Sequence, residues 1–469
     1  MKTVFLSVYH PYSSRNVLSN GVVNNLVTQK DVRVVVFCQA IKKDFFIANY
    51  SQDRIIIESF PDDRLTFFSP ISMFFDRWTT WMLPTFTISL RRREKLYRKK
   101  SIKSLVIFSL EQICFWLGRI KWWRWLVRFF DYQLANKDFL NNLIDKYKPD
   151  LFFSSDIFSP EETLFMMACR AKKIPIISMV RSWDGTTNKR IFRILPDYLL
   201  VSNSFIKNEA VVYHDMPVEK IFITGMPQYD LYYQYLEKIK KATPVETDQA
   251  RTKFLQEMGL SPEKRFMLVA PAGSYLTNID WQILELIKRA QEAERLPPDL
   301  QFLVRQHPSL PADLSQFTGG KNFVIEKPPG AHFTAKYRMT EMDQASVKHL
   351  CDSLRFAEGL VQFSSTIGLD ACVFDRPQVM VAFDGWDKKP YIDSVKRYHD
   401  EINMKQFIDF GPAWVVKTER ELIEAINAYL QNPNLHHSGR VKAIEEIIFS
   451  FDGLCAKRIS DFILEKLPA

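Results

Sequence analysis

Short apolar runs recur along the chain, each closed by a polar or glycine-bearing segment, and stretches with apolar positions at helical spacing lie between them. In the first half the runs are TVFLSVY, VRVVVFC, RIIIESF, LFFSSD, IPIISMV, YLLVSN and IFITG; in the second they are RFMLVAPA, QFLVRQH, NFVIEK, GLVQFSS, QVMVAF and AWVVK. Continuous apolar runs of this length mark strands covered on both faces, as in parallel sheets flanked by helices. The alternation predicts an α/β protein with two doubly wound halves. A polar, helical, proline-broken stretch separates them, so the expected division is 1–235, a linker over 236–263, a second domain over 264–445 and a closing helix over 446–469.

One region breaks the alternation. Residues 70–135 contain RRREKLYRKK, an apolar helical window SLVIFSLEQICFWLG, and GRIKWWRWLVRFF, with Trp116, Trp122, Trp123 and Trp125 set among Arg119, Lys121, Arg124 and Arg128. This reads as a helical insertion in the first domain. Tryptophan mixed with arginine and lysine is the composition of a helix lying on an anionic lipid surface. An ordinary core helix with a solvated basic face has the same composition. No nucleic-acid recognition motif accompanies the charge, so nucleic acid is not an expected partner.

Composition narrows the picture further. The 469 residues carry a formal net charge of +9, with 46% hydrophobic and 25% charged residues, the profile of a folded globular chain. The cysteines, Cys38, Cys114, Cys169, Cys351, Cys372 and Cys455, show no paired spacing, which suits reduced thiols in a cytoplasmic setting and argues against a zinc site. The first residues, MKTVFLSVYHPYSS, read as a strand rather than a signal peptide. The window at 104–118 is interrupted by Glu111 and Gln112 and is too short to span a bilayer comfortably.

Candidate chemistry collects where strands give out, the place at which open α/β sheets bind ligands. At 364–366, Ser364, Ser365 and Thr366 open a helix that contains Asp370; amides at a helix start attract anions, although serine and threonine there also serve as plain caps. At 305–308, Arg305 and His307 precede Pro308, and an imidazole at a strand end can donate to a phosphoryl oxygen or neutralise it. Gly273 and Ser274 follow the first strand of the second half and are positioned to offer backbone amides to a diphosphate. In the first half, Asp184 follows IPIISMVRSW and precedes Gly185, a carboxylate able to take a proton from an acceptor hydroxyl or to cap a turn. His399, in DKKPYIDSVKRYHDE, is a weaker candidate.

The order RxHP, then SS(S/T) before a helix and an apolar strand, resembles the carboxy-terminal half of GT-B nucleotide-dependent transferases, in particular CDP-glycerol glycerophosphotransferase-like and capsule glycosyltransferase families. TGMPQYDLY is similar to their interdomain TGxPxxD segment, which places Gly225, Pro227 and Asp230 at the linker or cleft, and RNVLSNG at 15–21 resembles their first-strand loop. The resemblance covers roughly residues 1–35 and 150–415 and implies two Rossmann-like domains facing a central cleft, the first for the acceptor and the second for the nucleotide donor. Glycerophosphotransferases of this group have WHGTPLK where this chain has WDGTTNK. CMP-sialic acid transferases of the GT-B type use an aspartate before glycine as base, an HP histidine for the nucleotide phosphate and a serine pair. That second pattern resembles this chain's trio.

The resemblance therefore implies a metal-independent glycosyltransferase with Asp184 as base, His307 as phosphate ligand or leaving-group acid, and Arg305, Ser364, Ser365, Thr366, Asp370, Gly273 and Ser274 around the donor. No cofactor is expected, because the nucleotide-sugar donor is a substrate. The expected acceptor is a surface polysaccharide or lipid-linked glycan at the inner face of the cell membrane. Alternatives are glycerol phosphate transfer, a nucleotide-sugar 2-epimerase, and a non-catalytic sugar- or lipid-binding protein.

Overall fold

A computed structural model describes residues 1–60, 69–274, 276–307, 311–327, 329–333 and 340–468. The chain forms two compact units: Met1–Leu231 with Ile447–Ala469, and Tyr232–Glu446.

Unit 1 is built on a parallel sheet of β1 (Lys2–Val8), β2 (Val32–Cys38), β3 (Ile55–Ser59), β4 (Leu151–Ser154), β5 (Ile176–Met179), β6 (Tyr198–Val201) and β7 (Ile221–Ile223), in the order β3-β2-β1-β4-β5-β6-β7. Chain direction across the sheet reverses between β1 and β4, the switch point at which such sheets open a crevice. The strands are buried on both faces, which is why they read as unbroken apolar runs. Aromatics fill one face: Phe152 stacks on Phe165 at 4.4 Å between ring centroids, and Phe5 and Phe37 meet edge to face.

Unit 2 repeats the plan with β8 (Arg265–Ala270), β9 (Leu300–Arg305), β10 (Phe323–Glu326), β11 (Gly359–Gln362), β12 (Gln378–Val381) and β13 (Trp414–Val416), ordered β10-β9-β8-β11-β12-β13 and all parallel. Its reversal falls between β8 and β11. Both halves are thus Rossmann-like, as the periodicity predicts.

The stretch expected as a linker is helical, over Gln228–Ile239 and Pro244–Glu257. Its later part folds onto unit 2: Phe254 and Leu255 are buried, Arg251 donates to the carbonyls of Pro262 and Lys264, and Tyr235 donates to Asp352. Gly225, Pro227 and Asp230 serve the return of the chain's last segment to unit 1. Asp230 accepts the N–H groups of Cys455 (3.1 Å) and Ala456 (2.7 Å), capping the Cys455–Lys466 helix across 225 residues of sequence. Gly225 holds a left-handed φ of +91°, and a Cβ there would lie 3.5 Å from Cys455 Sγ. Pro227 offers its carbonyl to the N–H of Asp230 and so fixes the turn that aims the carboxylate.

The insertion consists of helices Pro70–Met82, Phe86–Lys99, Ile102–Leu117 and Lys121–Leu134. The last is turned inside out. Arg124 and Arg128, expected on a basic outer face, point inward and share Asp215, while Asp131 receives a two-pronged bond from the buried Arg193. Trp122 and Trp125 of the same helix are each 62% exposed, as is 55% of Trp116, whereas Trp123 packs partly into the small core beneath. Charge inside and aromatic surface outside is the reverse of what water favours. Among the described residues, no helix is long and apolar enough to cross a membrane.

Candidate active site

The strand ends of unit 1 hold Asp184. Beyond β5 the chain passes Arg181 and Ser182 into the short helix Gly185–Asn188, with Asp184 at its start. Gly185 is required by proximity, since a Cβ there would lie 2.8 Å from the Phe158 ring. The Asp184 carboxylate does not cap this helix; it accepts from Ser182 Oγ at 2.5 Å and from Asn188 Nδ2 at 3.1 Å. Burial opposes its ionisation, but Lys189 and those two donors outweigh burial and hold its carboxyl below the usual carboxylate value. Asp184 is therefore a fixed anion.

The helix Ser204–His214 pins this turn from behind. Thr186 Oγ1 donates to Glu209, and His214 Nε2 meets the Thr186 carbonyl at 2.8 Å. Because the Phe192 N–H donates to His214 Nδ1, the ring proton sits on Nε2. Burial, with the Asp184 charge nearby, pushes the Glu209 carboxyl up to about 7. Two neighbouring carboxyls thus have their proton affinities driven apart, the condition for separate acid and base roles.

At the β1/β4 switch point a second acidic group is sealed in. Glu162 accepts from Ser7 (2.6 Å), Ser154 (2.8 Å), Ser155 (3.1 Å) and the N–H of Asp156 (3.0 Å). Burial, then Asp156, pushes it up to about 7. Asp156 pairs with Arg181 at 2.6 Å and so ties the end of β4 to the approach to Asp184.

In unit 2 the strand register aligns three of the expected segments along one carboxyl-terminal edge: His307 beyond β9, Gly273 and Ser274 beyond β8, and Ser364–Thr366 beyond β11, with β8 in the middle. His307 and the serine pair share an edge of the sheet. Burial pushes the His307 ring down to about 4, so it stands as a neutral imidazole at pH 7. Pro308 and Ser309 lie outside the described residues.

The serine turn is set by two glutamines with no exposed surface. Gln362 Oε1 accepts the Ser365 N–H at 2.9 Å, Gln362 Nε2 donates to Gln378 Oε1, and Gln378 Nε2 donates to the Gly368 carbonyl. A Cβ on Gly368 would lie 2.4 Å from Gln362 Nε2, so only glycine lets the Ile367–Val373 helix settle on the sheet. Thr366 makes no side-chain cap, and Ser364 Oγ reaches the Tyr398 carbonyl only at 3.5 Å, so these hydroxyls are not spent on capping. Asp370 is buried within this helix. His399 is buried beside the turn, with Nε2 at 2.8 Å from the Phe363 carbonyl and no partner for Nδ1 among the described residues.

Other expected donor groups are engaged elsewhere. Arg305 donates to both carboxylate oxygens of Glu326 at 3.1 Å and meets His349 Nδ1, so its charge is already balanced inside unit 2. The amides of Ala272 and Gly273 are taken by Asp280 at 2.8 and 3.1 Å, and Ser274 Oγ donates to the Pro311 carbonyl. Asp280 occupies the place at which the sequence suggests a diphosphate, and burial lifts its carboxyl to about 6 despite those amides. Glu162, Glu209, Asp280 and Gln362 were not singled out from the sequence; each lies inside a helix or strand that reads there as ordinary packing.

The model of the family described as CDP-Glycerol:Poly(glycerophosphate) glycerophosphotransferase matches residues 180–465, more than half of the chain. Among solved structures, the chain is similar to UDP-GlcNAc 2-epimerase from Neisseria meningitidis, bound to UDP-GlcNAc, with TM-score 0.55 and 13% identity over 99% of this chain and 100% of that one. It is similar to UDP-GlcNAc 2-epimerase from Methanocaldococcus jannaschii, with TM-score 0.54 and 14% identity over 99% and 100%. The enzyme of the same name from Rickettsia bellii gives TM-score 0.53 and 12% identity over 100% and 97%. Identities this low show a common GT-B-type fold of two Rossmann-like domains and nothing finer. No curated protein matches the sequence.

Proposed function

Because the chain belongs to the CDP-glycerol:poly(glycerophosphate) glycerophosphotransferase family, and is accordingly a nucleotide-activated transferase, we propose that it moves a sugar from a nucleotide donor, CMP-linked in the first instance, to an acceptor hydroxyl, with Asp184 as base. The observation that carries this is the carboxylate of Asp184, held ionised at a strand end where the family's motif has a histidine. In the proposed step Asp184 takes the hydroxyl proton, the acceptor oxygen forms a bond to the anomeric carbon, and the bond from that carbon to the nucleotide phosphate breaks. The phosphate leaves with the electron pair, and the stereochemistry inverts. His307 donates a hydrogen bond to the departing phosphate, and the hydroxyls of Ser364, Ser365 and Thr366 complete its surroundings. No metal takes part in this scheme, and Arg305 and Gly273 hold the edge in shape rather than touching the donor.

The family match itself favours a second reading, transfer of glycerol phosphate or another polyol phosphate. One experiment separates the two: the purified protein is offered CMP-, UDP- and GDP-sugars and CDP-glycerol with hydroxyl acceptors, and products are identified by mass spectrometry. Sugar transfer that disappears in Asp184→Asn supports the first reading. Turnover of CDP-glycerol with every sugar donor inert establishes the second, and interconversion of a UDP-sugar without acceptor displaces both.

The proposed acceptor is a lipid-linked or surface glycan at the inner membrane face, and the proposed seat on that membrane is the insertion. Besides its outward aromatics it exposes Arg91, Arg93, Lys103, Arg119 and Lys121, and Arg119 lies over the Trp116 ring at 4.1 Å. Each basic group near an anionic surface contributes about 1 kcal/mol and is screened by salt. Co-sedimentation with phosphatidylserine-containing vesicles at low salt, reduced at high salt and abolished by Trp122→Glu with Trp125→Glu, is expected. Vesicle binding unchanged in that double variant would remove the proposal.

A further inference from the structure

The turn that follows Asp184 is too short to hold itself. Gly185–Asn188 makes one helical turn, which does not repay the cost of nucleation, and a helix leaves its last carbonyls without donors of its own. Three successive carbonyls of this turn each take a donor from a side chain elsewhere. Thr186 meets His214 Nε2 at 2.8 Å, Thr187 accepts from Thr85 Oγ1 at 2.6 Å, and Asn188 accepts from Arg91 Nη1 at 3.3 Å. His214 belongs to the helix behind the turn, whereas Thr85 and Arg91 belong to the insertion.

The residues beyond the turn lean on the insertion as well. The Ile191 N–H donates to the Thr79 carbonyl at 3.2 Å, Arg128 Nε donates to the Phe192 carbonyl at 2.7 Å, and Arg193 forks onto Asp131. Burial and use single out Thr85 among these ties. Arg91 is exposed, so its bond competes with water, but Thr85 is only 1% exposed and spends its hydroxyl twice. Oγ1 accepts the Ile88 N–H at 3.3 Å, capping the Phe86–Lys99 helix, and donates to the Thr187 carbonyl. The peptide unit so held leads into Asn188, whose Nδ2 donates to Asp184 Oδ2 at 3.1 Å. The start of an insertion helix thus reaches the carboxylate through one peptide and one amide side chain.

We propose that Thr85 is a positioning residue for Asp184: its hydroxyl fixes the Thr187 carbonyl, that peptide fixes Asn188, and Asn188 fixes the direction in which the carboxylate faces. The inference rests on Asp184 being the base proposed above, and it makes the insertion part of the frame of the active site. A general base works only within hydrogen-bond reach of the proton it takes, and a displacement of about 1 Å can cost about 10² in rate.

The test compares variants of the full-length protein. Thr85→Val keeps the branched shape and removes the hydroxyl, and Thr85→Ser restores it. Ser101→Ala removes a cap of the same kind from the neighbouring Ile102–Leu117 helix, where Ser101 accepts the Ser104 N–H, and so controls for uncapping alone. Hydrogen–deuterium exchange followed by mass spectrometry reads the turn without substrate. Exchange over residues 185–192 should quicken in Thr85→Val while unit 2 exchanges as in the parent, and Ser101→Ala should leave 185–192 unchanged. Thr85→Ala, which leaves room for a water at the buried N–H, is expected to behave likewise and serves if the valine variant does not fold.

With CMP-, UDP- and GDP-sugars and CDP-glycerol as donors, kcat should fall about tenfold or more in Thr85→Val at unchanged donor KM, and Thr85→Ser should stay near the parent. Asn188→Ala should lose at least as much. Because the two residues act along one path, Thr85→Val combined with Asn188→Ala should lose no more than Asn188→Ala alone. Exchange over 185–192 that is unchanged in Thr85→Val, or quickened equally in Ser101→Ala, would overturn the assignment. So would a loss confined to KM, or losses that multiply in the double variant. Turnover of no donor, or full activity in Asp184→Asn, would count against the reading of Asp184 as base, while the exchange measurement decides separately whether Thr85 holds the turn.

Discussion

The two sheets end in the same topology, yet their carboxyl-terminal edges are finished differently. In unit 2 the groups that shape the edge are matched within the protein: Arg305 by Glu326, the Gly273 amide by Asp280, and Gln362 by Gln378 and the Ser365 amide, while Thr366 makes no side-chain cap. In unit 1 the edge keeps a separated pair of carboxyls, Asp184 and Glu209, and several buried groups that find no partner among the described residues, such as Asn16 Oδ1 and Arg181 Nε. A matched edge is a rigid cradle whose shape precedes its ligand, whereas an unmatched one carries a deficit that a ligand fills. Under the proposed function, that difference puts the proton transfer in unit 1 and the holding of the departing phosphate in unit 2.

The sharpest way to break that comparison is Asp184→Asn, which keeps shape but cannot take a proton. Turnover is expected to fall by about 10³, within the range for a general base, while nucleotide binding by calorimetry stays as in the parent. Activity near the parent level would move Asp184 to the positioning side. His307→Ala should cost about 10² in turnover, the scale of one hydrogen bond to a leaving group.

His307 also carries a pH signature. Its folded affinity for protons is depressed below the ordinary histidine value, so the stability it contributes is present above about 6.5 and is lost as pH falls through about 4. Melting temperatures measured across that window should fall less steeply with acid in His307→Ala. Equal slopes would show that burial does not hold the ring neutral.

Gly368→Ala tests the rigidity of the cradle. The added methyl collides with Gln362, so a loss of about 1–3 kcal/mol is expected, the usual cost of overpacking, with nucleotide affinity falling alongside. Nucleotide affinity unaffected by that loss would mean the edge is not preformed for its ligand. The smallest effect belongs to Glu209→Gln. Glu209 has a raised folded value, so the stability it contributes is complete below the ordinary glutamate value of 4.5 and is lost as pH rises through about 7. The glutamine variant should lack this decline between pH 4.5 and 7; the same slope in both proteins would leave Glu209 out of the unit 1 pair.

The contrast between the edges was only partly legible in the sequence. The parallel strands of both large sheets could be read because parallel strands covered by helices leave continuous apolar runs, and Asp184, His307 and the serines could be read because polar groups at strand ends are conspicuous. What satisfies a polar group is another matter. Glu326 lies on the next strand from Arg305, and Asp280 lies in a helix beyond Gly273; neither spacing distinguishes a partner from a surface charge. Glu209 sits in SFIKNEAVVYH, an amphipathic pattern in which a glutamate reads as solvated. The rule that charge faces water predicts Arg124 and Arg128 outward, and the half-buried Asp215, 91 and 87 residues away, reverses it.

The capping of Cys455–Lys466 by Asp230 sets an order of assembly. During synthesis all of residues 232–446 emerge before the helix that completes unit 1, so Asp230 keeps an unspent carboxylate until Cys455 and Ala456 have been made. Until then the Val22–Thr28 helix, whose Val22, Val23 and Leu26 lie in one apolar cluster with Ile459 and Ile463, stands uncovered. The second unit folds as an inserted passenger, and its host closes afterwards. A nascent chain stalled near residue 445 would therefore carry a finished second unit and an open first one, a state in which chaperones and proteases find the protein before any substrate does.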